Sequence, residues 1–202
     1  MKKQIITIKI GTSVSFTDRG VIDEYRIVHL ANQIGQLHRD FGVVLVVSGA
    51  VACGRRVIDV NDNFTRQAAA GIGQAILTST LTRIFENQHL ISAQVLVKNN
   101  NLEMEMAELI RFYIDHGIVS IINENDVVSK TSDFVDGNDF LAVAVAKCIG
   151  SQKLVILSTM QGSKFGVGGG EAKLKAVAQA QSVGIETVIL DGKVKDVLLK
   201  AL

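Results

Sequence analysis

The sequence predicts an α/β fold in which a mostly parallel sheet is covered on both faces by helices, and three observations carry that expectation. Short β-branched runs alternate with segments of helical period along the whole of the 202 residues. The strand runs are nearly continuous in apolar residues, the pattern of strands buried on both faces. A helix-length segment separates each run from the next, as parallel crossovers require.

The elements follow in order. "QIITIKI" at 4–10 reads as a first strand that ends in a glycine turn, and "DEYRIVHLANQIGQLHRDF" returns the chain as a helix. "VVLVVS" at 43–48 is a second buried strand, followed by the long helical segment "TRQAAAGIGQAILTSTLTRIFENQ". "ISAQVLV" at 91–97, "IVSII" at 118–122, "KLVILS" at 153–158 and "ETVIL" at 186–190 read as strands for the same reason. The helical segments between and after them are "EMEMAELIRFYIDHG", "DFLAVAVAKCIG", "EAKLKAVAQAQSVG" and "KVKDVLLKAL". Proline is absent, so glycine alone supplies the strong breaks.

Ligands of such sheets lie beyond the carboxyl ends of the strands. Polar residues collect there: "KIGTS" leaves the first strand, "SGA" the second, "NEND" the fourth and "STMQG" the fifth.

Composition narrows the function. A net charge of +1 with scattered basic residues gives no footprint for nucleic acid or an anionic membrane, which favours a small-molecule partner. Cys53 and Cys148 are too few and too far apart for a disulfide framework or a zinc site, and read as small apolar residues of a reducing cytosol. The opening "MKKQIITIKIGTS" imitates a signal peptide, but Lys9 and Gly11 interrupt its apolar run, and no stretch approaches the ~20 residues that span a bilayer. The expectation is a cytoplasmic protein. His29, His38, His89 and His116 lie apart and read as surface residues.

Four motifs carry chemistry. "KIGTS", Lys9 to Ser13, joins a lysine to a glycine turn whose amides and hydroxyls suit a phosphate; a solvated lysine at a strand end is the plainer alternative. "VVSGAVACG", Val46 to Gly54, resembles a strand, a glycine turn and the first turn of a helix, either an anion site or ordinary tight packing. The segment from Ile122 to Phe140 holds five carboxylates, three asparagines and one lysine. There Asn123, Glu124, Asn125 and Asp126 leave a strand together, and a hairpin around Lys130 brings back Asn138 and Asp139. Helix capping by Asp136, Asn138 or Asp139 accounts for one of these residues but not for the others. "GVGGGEAK", Gly166 to Lys173, runs glycines into a helix and reads as a phosphate loop or a linker; its spacing is not that of a dinucleotide fingerprint.

Taken in order, "KIGTS", "VVSGAVACG", "RQAAAGIGQ", "AQVLV", "IINENDVV", "GND" and "GVGGGEAK" resemble the glutamate 5-kinases of the amino acid kinase family over nearly the whole chain. The resemblance implies a three-layer αβα sandwich, with residues 1–150 as the amino-acid half, 151–202 as a shortened nucleotide half, and no RNA-binding-like PUA domain after Leu202. It implies transfer of the γ-phosphoryl group of ATP to the side-chain carboxylate of glutamate, the first step of proline synthesis, with Mg²⁺ held mainly by the phosphates and no metal ligand from the protein. By resemblance, Lys9, Asp139 and Lys173 are catalytic, and Ser48, Gly49, Asp126 and Asn138 hold glutamate. Lys9, Gly11, Ser158, Thr159, Val167, Gly168, Gly169, Gly170, Glu171, Ala172 and Lys173 contact the nucleotide. A homo-oligomer paired through the helix at 64–87 is also implied.

The sequence departs from the family pattern in places. "DGND" replaces the usual "GDND", "STMQGS" lacks the usual aspartate after the fifth strand, and few residues separate Gly162 from "GVGGG". The alternatives left open are a silent glutamate-binding relative and a kinase for another small acid or phosphate.

Overall fold

Six β-branched runs become six strands; the four inner ones are nearly continuous in buried residues, as only a doubly covered sheet allows, and the two at the edges are partly exposed. In a computed structural model, which describes residues 3–98, 104–128, 137–159 and 170–202, the strands are β1 (Gln4–Ile10), β2 (Phe41–Val47), β3 (Ile91–Val97), β4 (Ile118–Glu124), β5 (Lys153–Ser158) and β6 (Glu186–Asp191). All pairings are parallel, in the order β3-β4-β2-β1-β5-β6. The expectation "mostly parallel" therefore holds for every strand described.

The main helices are α2 (Glu24–Leu37), α4 (Asn63–Glu86), α5 (Met104–Asp115), α6 (Asn138–Ile149) and α7 (Gly170–Ser182); α1 (Thr12–Ser15), α3 (Ala50–Gly54) and α8 (Val197–Ala201) are single turns. Turn α1 was not foreseen, and "KVKDVLLKAL" is helical only at its end, because Asp196 takes a left-handed conformation that delays the helix.

Strand alternation sorts the core into two layers. Ile6, Ile8 and Ile10 of β1 face α2, α4 and α8, with Val43, Leu45, Ile121 and Leu157 beside them. Val44, Val46, Ile122, Leu154 and Ile156 face α5, α6 and α7 on the other side. The period of two then turns Lys9 toward the α6 layer.

Helices α3 and α4 cross with their backbones in contact, since a Cβ on Gly73 would overlap the Ala50 carbonyl and one on Gly54 would overlap that of Ala69. The second glycine of "GIGQ", Gly73, is thus explained by packing. Gly49, at φ 125°, opens α3 in a conformation that disfavours a side chain, and Phe16 fills the space a Cβ would need.

Among the described residues no helix is long and apolar enough to cross a membrane.

Candidate active site

β1 lies at the centre of the sheet, and the chain leaves it toward β2 on one side but leaves β5 toward β6 on the other. Adjacent parallel strands whose connections diverge open a crevice at their carboxyl ends. The loops there are stitched together: Gly11 N–H donates to Leu157 O at 3.0 Å, and Thr159 N–H donates to Ser13 Oγ at 3.2 Å. The first bond commits the Gly11 amide to the sheet, so it is not among the groups of "KIGTS" that can face a phosphate. Tight contact explains the glycine, since an added Cβ would lie 3.0 Å from Leu157 O.

Above this crevice stands a lysine–aspartate–lysine arrangement. Asp139 occupies the first turn of α6, where a carboxylate complements the helix dipole. Its Oδ1 lies 2.7 Å from Lys9 Nζ, and its Oδ2 lies 3.8 Å from Lys173 Nζ in the first turn of α7. Three distant segments of sequence meet at one carboxylate. The Lys9 and Asp139 side chains are only 7% and 2% exposed, so the pair is buried, whereas Lys173 is partly buried at 15%. Burial pulls the Lys9 pKa below its ordinary value; the Asp139 charge opposes this, and nearby Lys173 adds a smaller downward push.

The expected α6 cap is corrected: the N-cap is Gly137, at φ 80°, with no side-chain cap bond. Asn138 and Asp139 are thereby released for other partners. Asn138 Nδ2 donates to Val47 O at 2.6 Å and to Asn123 Oδ1 at 2.8 Å, which ties the start of α6 to the ends of β2 and β4. Ser48 and Gly49 follow directly after Val47, both half-buried, so they border the same mouth.

Asp126 does not stand alone there. Arg66 Nη2 of α4 pairs with its Oδ1 at 2.7 Å, and Arg66 Nη1 is buried without a hydrogen-bond partner. Burial raises the Asp126 pKa, with the Arg66 charge and hydrogen bond opposing the rise. Sequence reasoning assigned no role to Arg66 or Gln74, although both lie within the quoted "RQAAAGIGQ", and it left Asn123 unassigned. Polar residues on the core side of an otherwise small-residue helix were the available signal.

Ser158 is buried beneath the crevice and Thr159 follows it, so both reach the mouth. Gly170, Glu171 and Ala172 begin α7 beside Lys173; Glu171 Oε1 is 3.0 Å from Lys175 Nζ. Val167, Gly168 and Gly169 lie outside the described residues, as does the hairpin around Lys130. The histidines lie away from this mouth, but they are not all surface residues. His29 and His38 are half-buried, and His38 Nε2 meets Gly117 O at 3.1 Å on the far side of the sheet.

A family model described as the amino acid kinase family matches residues 4–162. A glutamate 5-kinase from Clostridium acetobutylicum is 27% identical over 96% of this chain and 88% of its own length. Glutamate 5-kinase 1 of Bacillus licheniformis is 31% identical over 100% of this chain and 67% of its own. The alignment to the clostridial protein runs 236 positions against a chain of 202 residues, so some segments of that relative have no counterpart here. Among solved structures, an isopentenyl phosphate kinase superposes with a TM-score of 0.70 at 14% identity, covering 98% of this chain and 95% of its own. A UMP kinase from Ureaplasma parvum gives 0.66 at 17%, covering 98% and 94%. These two show a shared fold.

Proposed function

The chain belongs to the amino acid kinase family, and on that premise we propose that it transfers the γ-phosphoryl group of ATP to the side-chain carboxylate of L-glutamate. The product is glutamyl 5-phosphate, the acyl phosphate that opens proline synthesis. Similarity to glutamate 5-kinases along the whole chain supports the substrate. One observation carries the chemistry: Lys9 and Lys173 converge on Asp139.

The reaction brings two anions together. A carboxylate oxygen of glutamate forms a bond to the γ-phosphorus, the bond from that phosphorus to the bridging oxygen breaks, and its electron pair leaves with ADP. The acceptor is already ionised, so no general base is needed, and none of the histidines is called upon. What the site must supply is fixed positive charge on the equatorial and bridging oxygens. Lys9 and Lys173 provide it, and Asp139 is the positioning residue that holds both ammonium groups. Mg²⁺ travels on the phosphates and offsets their charge. The protein's contribution at this point is two ammonium groups.

On the amino-acid side, Ser48, Gly49, Asp126 and Asn138 form the pocket, with Asp126 for the ammonium group. Arg66, held against Asp126 with one nitrogen unpartnered, suits the main-chain carboxylate of the same substrate. We assign the pocket to residues 1–150 and most of the nucleotide side to 151–202, with Lys9 and Gly11 joining Ser158, Thr159 and residues 167–173 around ATP. Self-association belongs to the outer face of α4, where Phe64, Ala68, Ile72, Ala75 and Ile76 recur at helical spacing and Phe64 is 76% exposed.

An ATP-dependent hydroxamate assay with glutamate tests this reading. Hydroxamate is expected with wild type and glutamate, and none without ATP. Calorimetric binding of glutamate with no turnover would favour a silent binding protein instead.

A further inference from the structure

A chain of buried amides runs from the pocket into α4, and its hydrogen bonds have a single consistent polarity. Val47 O can only accept and the Glu124 N–H can only donate, so neither end can reverse its role. Facing Val47 O at 2.6 Å, Asn138 must present its NH₂. The same nitrogen lies 2.8 Å from Asn123, which therefore presents Oδ1, as the Glu124 N–H at 2.9 Å independently demands. With Oδ1 committed, Asn123 turns Nδ2 to Gln74, whose Oε1 accepts at 2.8 Å. Gln74 Nε2 is left to donate to Thr78 Oγ1 at 3.0 Å, and Gln94 Nε2 donates to the same hydroxyl at 2.8 Å.

The consequence falls on Asn138. Its nitrogen is held by Val47 and Asn123, so the atom left for a ligand is the carbonyl oxygen Oδ1, an acceptor. The Asn138 nitrogen and the Glu124 amide already oppose a flip of Asn123; what Gln74 adds is the acceptor for the buried Asn123 Nδ2, without which that side chain would have to move to find a partner. Asn123 and Gln74 are 2% and 8% exposed, so water is poorly placed to replace the bond.

We infer that Gln74 is a positioning residue for the amino-acid pocket: by accepting from Asn123 Nδ2 it holds that side chain in place against Asn138, whose carbonyl faces outward and selects a ligand that offers a donor there, such as a substrate ammonium group. This rests on the reading of the mouth as an amino-acid site.

Two variants separate positioning from support of the fold. Gln74→Met keeps the length and removes the acceptor. Gln74→Glu keeps an acceptor toward Asn123, while the Thr78 hydroxyl can rotate to donate to the other oxygen. Glutamate KM, ATP KM, kcat and the thermal midpoint are measured for each, with calorimetric glutamate binding alongside. Gln74→Met is expected to raise glutamate KM and Kd about tenfold with ATP KM unchanged, and Gln74→Glu to stay within about twofold of wild type. Unchanged glutamate binding in Gln74→Met overturns the inference. So does a parallel loss of both substrates, or a folded Gln74→Glu as impaired as Gln74→Met. Wild type that neither binds nor turns over glutamate removes the parent reading and this one together. Wild type that binds glutamate, matched by equally tight binding in Gln74→Met, removes this one alone.

Discussion

Lys9 Nζ sits 2.7 Å from Asp139 Oδ1, and that contact joins the central strand of the sheet to the helix that follows β4. Two facts of local structure produce it. The alternation of β1 turns Lys9 away from the isoleucine layer, and Gly137 caps α6 so that Asp139 lies in its first turn with its side chain unclaimed by the cap.

Replacing Lys9 by methionine keeps the length of the stem and removes the charge. Loss of one transition-state charge of this kind is expected to lower kcat roughly 100-fold or more, read by the hydroxamate assay. Turnover equal to wild type would remove Lys9 from the chemistry.

Asp139→Asn leaves two ammonium groups facing one another without their shared counter-charge. Breaking a buried ion pair on one side costs about 3 kcal/mol or more, so urea denaturation is expected to shift to markedly lower concentration. Mg²⁺·ATP is expected to restore part of that stability, because its phosphates replace the lost negative charge. A variant as stable as wild type would show that the pair contributes nothing.

Asp126 has its pKa raised above 3.8 by burial, with Arg66 in opposition. Between 3.8 and the raised value the native chain therefore holds a proton that the unfolded chain has released. Stability from this group is lost as pH rises through that window, and the ionised form needed for an ammonium ligand appears over the same range. Asp126→Asn is expected to gain stability relative to wild type across that rise, as measured by urea denaturation at several pH values. Glutamate KM of wild type is expected to fall in parallel. A stability difference that moves the other way would contradict the sign.

At the α3–α4 crossing, Gly73→Ala places a methyl group on the Ala50 carbonyl and 2.5 Å from the Gly54 nitrogen, both rigid backbone. The expected loss is about 3 kcal/mol. Gly35→Ala meets nothing closer than Leu90 Cδ1 at 3.6 Å and is expected to stabilise α2 by about 0.5–1 kcal/mol. Equal midpoints for the two variants in thermal unfolding would refute the packing argument.

Cys53 is buried, and burial raises its thiol pKa to about 11 against the opposing charge of Arg56. Cys148 is half-buried. A thiol reagent at pH 8 is expected to label Cys148 alone in the native protein and to reach Cys53 only after denaturation. Rapid native labelling of Cys53 would show that its surroundings open.

The strands were legible because each is a short apolar run whose hydrogen bonds and burial agree, and all six fall within about two residues of the segments read from sequence. Lys9, Asp139 and Lys173 could be named from their motifs, and the family resemblance implied that Asp139 orients both lysines; the residue pattern alone could not give their meeting, since it depends on strand order and on which face of β1 points to α6. Arg66 and Gln74 were hidden for a different reason. They lie in a helix whose polar and apolar residues are mixed on every side, so no periodic pattern marks the side that turns to the pocket. Hydrogen-bond competition was equally invisible: the Gly11 amide bonds to Leu157, and Asn138 turns to Val47 rather than capping its own helix.

β1 is hydrogen-bonded to β2 along one edge and to β5 along the other. A fragment ending before β5 would leave the central strand as a bare border with its apolar flank uncovered, a template for pairing with any other extended chain. Residues 1–150 expressed alone would carry this exposed edge and are expected to self-associate.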